Sequence, residues 1–225
     1  MIICPAQPFD IDQIMMIERQ SFIPAIQEKR RCFEKRLKTY PEGFFVLSDT
    51  SEETVKQNGN ALTCGYFCSE LWDSFPEPNA EEKIFKRRFA LGHNAADTHS
   101  AHGMYLYVSS FALSRPYRSK GYGAKFFKAS LAALCGANKN IKTIVLLVNS
   151  EWENAVKIYQ NEGFSEVRRL KDFFPTLTKK TFADGIVMTI SADKYRELSL
   201  EPNADATIAN EIANSFANPF AGVRI

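Results

Sequence analysis

The sequence has no long hydrophobic run, few histidines, scattered cysteines and almost no net charge. None of its apolar stretches approaches the roughly 20 residues that span a bilayer, so no membrane association is expected. The start, Met1 to Asp12, lacks a basic segment followed by a sustained apolar one, and no targeting segment is read there. Lys and Arg number 28 against 26 Asp and Glu, a net charge of +2. That balance gives no global pull toward nucleic acid, although a local basic patch can still hold phosphates. The five cysteines (Cys4, Cys32, Cys64, Cys68, Cys135) are odd in number and dispersed. They suit free thiols in a reducing compartment, and a cytoplasmic location is expected. Cys64 and Cys68 fall on one face of a strand, about 13 Å apart at the rise of an extended chain. They cannot share a metal or a disulfide without a bend, and read as small core residues. His93, His99 and His102 lack the spacing of a helical or finger site and have no cysteine nearby. No metal is expected, and the three read as part of a solvated loop.

What remains is ordinary globular composition, 45% hydrophobic and 24% charged over 225 residues, enough for one domain with its own core. Periodicity predicts helices over Asp10–Phe22, Glu28–Tyr40, Ala124–Cys135 and Glu151–Gln160. It predicts strands over Gly43–Asp49, Leu62–Leu71, Tyr105–Leu113, Thr143–Val148, Val167–Leu170 and Ile186–Ile190. Thr50–Asn60 reads as a polar loop. Asp73–Gly103 is a long interruption with a charged helix-like piece, Glu81–Leu91; such segments are commonly functional. A domain over 1–195 is expected, followed by a tail over 196–225 with a helix near Ala204–Phe216.

The informative stretch is Leu113-Ser-Arg-Pro-Tyr-Arg-Ser-Lys-Gly-Tyr-Gly-Ala124, between a strand and a helix. Gly121 and Gly123 remove side chains where backbone can approach a ligand. The first-turn N–H groups and the helix dipole favour an anion there. Arg115, Arg118 and Lys120 add formal charge, which together suits a diphosphate. The third glycine of a dinucleotide fingerprint would fall at Phe126, and no G-x-x-x-x-G-K-[ST] loop exists.

Arg118-x-x-Gly121-x-Gly123 resembles the [QR]-x-x-G-x-[GA] motif of the GNAT acetyltransferases. A second block lies in the expected order: the strand Thr143–Val148, the helix with Ala155 and Tyr159, then Gly163-Phe164. The resemblance covers roughly Tyr105 to Ile190. It implies an α/β fold with a mixed central sheet, splayed between its fourth and fifth strands, with helices on both faces. It implies acetyl-CoA as donor substrate and transfer to a primary amine by direct attack. By the same resemblance the backbone of Phe111, Ala112 and Leu113 meets the pantetheine arm. The loop Arg118, Ser119, Lys120, Gly121, Tyr122, Gly123 and Ala124 holds the pyrophosphate. Tyr159 matches the tyrosine that protonates the departing thiolate.

The general base is open. Leu71-Trp72-Asp73 through Gly92-His93 to Leu113 is similar to arylalkylamine N-acetyltransferases, but their two strand histidines fall at Tyr107 and Ser109. Glu151 to Met188 is similar to the N-terminal alanine acetyltransferases of ribosomal proteins, but their strand glutamate falls at Leu147 and their asparagine at Trp152. A water chain to Tyr107, Ser109 or Glu70 is the remaining route. The acceptor is thus a small-molecule amine or a peptide N-terminus, with the 73–103 segment over its pocket. A non-catalytic acyl-CoA-binding module is the alternative, and a homodimer is open.

Overall fold

The computed structural model of the protein describes residues 1–59, 61–177, 181–200 and 223–224. Eight strands form one sheet: β1 (Ile2–Pro5), β2 (Phe44–Asp49), β3 (Leu62–Trp72), β4 (Tyr105–Leu113), β5 (Thr143–Asn149), β6 (Ser165–Pro175), β7 (Phe182–Ser191) and the two-residue β8 (Val223–Arg224). Their spatial order is β6-β7-β5-β4-β3-β2-β1-β8. Every pairing is antiparallel except β4 with β5. Among the described residues the helices are α1 (Ile11–Ser21), α2 (Arg30–Thr39), α3 (Glu52–Asn58), α4 (Glu82–Arg88), α5 (Ala95–Thr98), α6 (Tyr122–Ala137), α7 (Glu153–Asn161) and α8 (Asp193–Leu200). None is long and apolar enough to cross a membrane.

Strand alternation divides the core between two faces. Phe45 and Leu47 of β2 join Ile144, Leu146 and Val148 of β5 under α6. Phe44 and Val46 turn the other way, onto Ile11, Ile14 and Ile17 of α1 and Phe33 of α2. On that second face Tyr107, Val145, Leu170 and Val187 pack with Trp72 at the end of β3 and with Phe85 and Phe89 of the 73–103 insertion. The predicted mixed sheet with helices on both faces is therefore observed.

The sheet also splays where expected. The parallel ladder runs only from Tyr105↔Thr143 to Val108↔Leu146. β4 continues to Leu113 and β5 to Asn149 without pairing to each other.

Several local expectations change. Thr50–Asn60 contains a helix, α3, begun by the Ser51 side chain accepting from the Thr54 amide and ended by left-handed Gly59. β1 is an additional strand, and β6 is longer than Val167–Leu170. Gly136 lies inside the last turn of α6 rather than beyond it. Cys64 and Cys68 lie in clusters on opposite faces, because the β2–β3 register shifts beside Leu47 and reverses the alternation. The predicted helix near Ala204–Phe216 lies outside the described residues. Val223–Arg224, from the same tail, pairs with β1.

Candidate active site

The gap between β4 and β5 opens into a cavity of about 210 Å³. Its walls come from five elements: Tyr107 to Phe111 of β4, Leu146 to Val148 of β5, Gly123 and Phe127 of α6, Ala155, Ile158 and Tyr159 of α7, and Phe174 of β6. Glu18, Phe22, Ile26 and Glu28, at and beyond the end of α1, and Leu91 of the insertion complete it. Tyr159 of α7 is thus brought to one cleft with Tyr107, Ser109 and Phe111 of β4.

One end of the cleft is built for an anion. Gly121 caps α6 in the left-handed region, φ 81°, and has no side chain to satisfy the first-turn N–H groups. Ser119 is also left-handed, φ 59°, an unfavourable conformation for a residue with a Cβ and a common one at ligand-binding loops. The Arg118 side chain does not stand free over the loop. Its Nε donates to the Leu113 carbonyl at 2.7 Å and its second terminal nitrogen to Ser21 Oγ at 2.8 Å. It ties the loop to the end of β4 and to α1.

Gly123 differs from Gly121. It needs no special φ, and a Cβ there would meet only the Leu113 side chain, at 3.8 Å. The fold has no use for a glycine at this helical position, where it weakens the helix by roughly 1 kcal/mol against alanine. The space beside it is open, so a ligand could come close to the backbone there. Gly123→Val should therefore fold, yet weaken coenzyme A binding at least about tenfold, or 1.4 kcal/mol. Titration calorimetry on the variant checks this, and unchanged affinity in a folded protein removes the loop from the binding site.

The free edge of β4 can be read from its ladder. The Ser114 amide donates to the Cys64 carbonyl at 2.8 Å. Antiparallel alternation then turns the backbone of Ala112 toward β3, and that of Leu113 and Phe111 toward the open side. Arg118 already occupies the Leu113 carbonyl. The backbone of Phe111 and the Leu113 amide therefore face the open side, and the backbone of Ala112 faces β3.

The other end of the cleft holds buried carboxylates. Glu18 is 1% exposed on the apolar face of α1. It accepts the Tyr66 hydroxyl and, at 2.8 Å, the Glu28 amide. Tyr66 also contacts Ser110 Oγ at 3.1 Å. Burial pushes the Glu18 carboxyl up to about 7, with these hydrogen bonds only partly opposing. Glu28 is held by Arg36 of α2, through its two terminal nitrogens.

Tyr107 is buried, stacked on Trp72 with centroids 4.2 Å apart, and burial drives its hydroxyl well above the ordinary phenol range. Ser109 Oγ donates to the Cys68 carbonyl at 3.2 Å. Tyr159 is partly buried, its ring 5.3 Å from Phe127 and 5.9 Å from Phe164, and burial raises its hydroxyl to about 12.

The histidines are not a solvated loop. His93 pairs with fully buried Glu70, which also accepts from Thr98 Oγ1 at 2.7 Å. Burial pushes the Glu70 carboxyl up, but these partners outweigh it and hold the group below its usual range. His99 Nδ1 accepts the Leu71 amide at 3.1 Å, and its ring stacks on Tyr40. Only His102 is exposed. The pairing of His93 and Thr98 with Glu70 anchors the insertion to β3. Among the described residues, no group of three or more His, Cys, Asp or Glu side chains is placed to hold a metal ion.

Glu18 was missed as a site residue in sequence. Its signal was present: a carboxylate in register with Ile11, Ile14 and Ile17 on the buried stripe of α1.

No protein-family model matches the chain, and no curated protein matches it. Solved structures do. The GphF GNAT-like decarboxylase in complex with isobutyryl-CoA superposes with a TM-score of 0.63 at 14% identity, over 84% of this chain and 98% of that one. NAA60 of Arabidopsis thaliana in complex with acetyl-CoA gives 0.60 at 15% identity, over 86% and 99%. The ribosomal-protein-S18-alanine N-acetyltransferase of Escherichia coli gives 0.56 at 15% identity, over 84% and 92%. The chain has the GNAT fold.

Proposed function

We propose that the protein is an N-acetyltransferase that moves the acetyl group of acetyl-CoA to a primary amine by direct attack. One observation carries this reading. The splayed strands join an uncapped helix N-terminus, suited to a pyrophosphate, to a buried carboxylate that titrates near neutrality. The neighbours in fold that were solved with acetyl-CoA or isobutyryl-CoA support an acyl-CoA donor.

The pyrophosphate rests on the N–H groups of Tyr122, Gly123 and Ala124, and the pantetheine arm lies along Phe111. The amine arrives protonated and must lose a proton before attack. Glu18 takes it. At about 7 the carboxyl is poised for this at physiological pH, whereas a phenol raised as far as Tyr107 holds its proton and cannot act as base. Ser109, bonded to the Cys68 carbonyl, lines the passage. The neutral amine adds to the thioester carbonyl, Tyr159 gives its proton to the leaving sulfur as the C–S bond breaks, and the surplus proton on the nitrogen passes to the phenolate, which leaves a neutral amide and a free thiol.

Direct attack requires both substrates bound at once. None of the five cysteines lines the cleft, so no thiol is placed to carry the acetyl group. Initial rates with both substrates varied should give intersecting lines. Parallel lines together with an isolable acetylated protein would overturn the mechanism. Binding of coenzyme A with no acetyl transfer to any amine would leave a non-catalytic acyl-CoA binder.

A further inference from the structure

We infer that the acceptor is a compact amine and that Trp152 excludes polypeptide N-termini; this rests on the acetyltransferase reading above. The two lips of the cleft beside β5 come from distant parts of the chain. One is the segment after α1, which presents Phe22, Ile26 and Glu28; the other is β6, which presents Phe174. Trp152, immediately before α7, touches both. Its ring lies 5.3 Å from Phe22 and 5.9 Å from Phe174, centroid to centroid.

Each ring is placed by a local backbone feature. Phe22 ends α1 in extended conformation, φ −125°, ψ 152°, which turns it off the helix axis. Trp152 sits at the α7 N-cap, outside helical geometry. Phe174 follows a register shift in β6 between Leu170 and Phe174. Within that shift Asp172 is left-handed, φ 51°, with its amide bonded to Asp184 Oδ1 at 3.1 Å. A bulge of this kind re-aims the side chains beyond it. Phe173 is fixed in turn against Gly185, where an added Cβ would come within 3.3 Å of its ring.

An extended peptide passing between two walls needs roughly the 10 Å that separates packed sheets. Trp152 stands within 5.3 and 5.9 Å of the other two rings, centroid to centroid, and leaves no such gap on either side. A peptide acceptor has chain trailing from the carbon that bears its amine, and that chain would have to pass through Trp152. A compact amine needs no such path. Glu18 supplies a carboxylate for its cationic form, and Ile26 and Leu91 an apolar wall, while Glu28 is already paired with Arg36.

The test is a kcat/KM panel on the whole chain with acetyl-CoA: ethylamine to hexylamine and benzylamine, against tetrapeptides beginning with free Ala, Ser or Met. The wild-type protein should favour its best small amine over its best peptide at least tenfold. Trp152→Ala should raise the peptide-to-amine ratio at least tenfold, with coenzyme A affinity unchanged. Wild-type protein that uses peptides as well as amines overturns the inference and leaves acetyl transfer standing. A folded Trp152→Ala protein with an unmoved ratio does the same. Protein that binds coenzyme A and acetylates neither class removes the parent reading, and the inference with it.

Discussion

Glu18→Gln should lower turnover by 10²-fold or more, the scale of a lost general base, and at the same time make the protein more stable at pH 8. The second effect separates the role from ordinary packing. In the folded chain the Glu18 carboxyl titrates at about 7, against an ordinary 4.5. The native state therefore holds this proton more tightly than the unfolded chain. Below 4.5 both states are protonated and the group contributes no difference. Between 4.5 and 7 the unfolded chain loses its proton first, so stability falls as pH rises. Above 7 the burial of the charge is fully expressed, at about 3 kcal/mol from a shift of this size. Glutamine cannot ionise. Its carbonyl can accept the Glu28 amide and its NH₂ can donate to the Tyr66 oxygen, so the shape and bonds of the site survive. Thermal melts of both proteins from pH 4.5 to 8.5 should coincide at the acid end and diverge upward for the variant. In the wild type, kcat/KM should climb through about pH 7 as the base ionises, and the variant should lose that inflection. A variant that melts lower than wild type at pH 8 with turnover intact would return Glu18 to a structural role.

A stability gain paired with an activity loss is the expected signature of a group kept in an unfavourable place for its chemistry. It also explains why the cleft was only half legible in the sequence. The anion end is local. Strand, two glycines and helix follow one another within Leu113 to Ala124, and local patterns survive reading along a chain. The carboxylate end is assembled from afar. Glu18 meets Tyr66 across a separation of 48 positions, Tyr66 meets Ser110 across 44, and nothing in the spacing of Glu18 names those partners. The resemblance places strand bases at Tyr107, Ser109 and Leu147: a leucine cannot serve, Tyr107 is stacked on Trp72, and Ser109 is bonded to the Cys68 carbonyl. The histidines fail for the same reason. Their own spacing fits no site, and the residue that organises them, Glu70, lies on β3. Short polar elements were lost differently. α3 has seven residues and buries none of them, so it leaves no hydrophobic period to detect. The reversal of Cys64 relative to Cys68 depends on a bulge, a one-residue shift that alternation alone cannot reveal.

Tyr159→Phe should reduce turnover by roughly 10²-fold while leaving coenzyme A affinity within about twofold. The change keeps the ring against Phe127 and Phe164 and removes one oxygen. A hydroxyl raised to about 12 stays protonated through the physiological range and is always available as a donor. At first sight it is too weak an acid for the task, because a thiol ordinarily titrates near 8.5. The comparison must be made inside the cleft. The apolar walls that disfavour a phenolate, among them Phe127, Leu146 and Ile158, disfavour a free thiolate as well, so both groups move up together. Proton donation as the C–S bond breaks avoids placing a bare thiolate among those walls. This gives a test that packing damage cannot imitate. An acetyl thioester whose thiol is more acidic needs less help in leaving. The ratio of wild-type to Tyr159→Phe turnover should shrink toward one with such a donor, provided its affinity is comparable. A ratio that stays constant across donors of different thiol acidity would mean that the hydroxyl holds the donor in place without sharing its proton. Turnover within twofold of wild type would mean that Tyr159 is only a wall of the core.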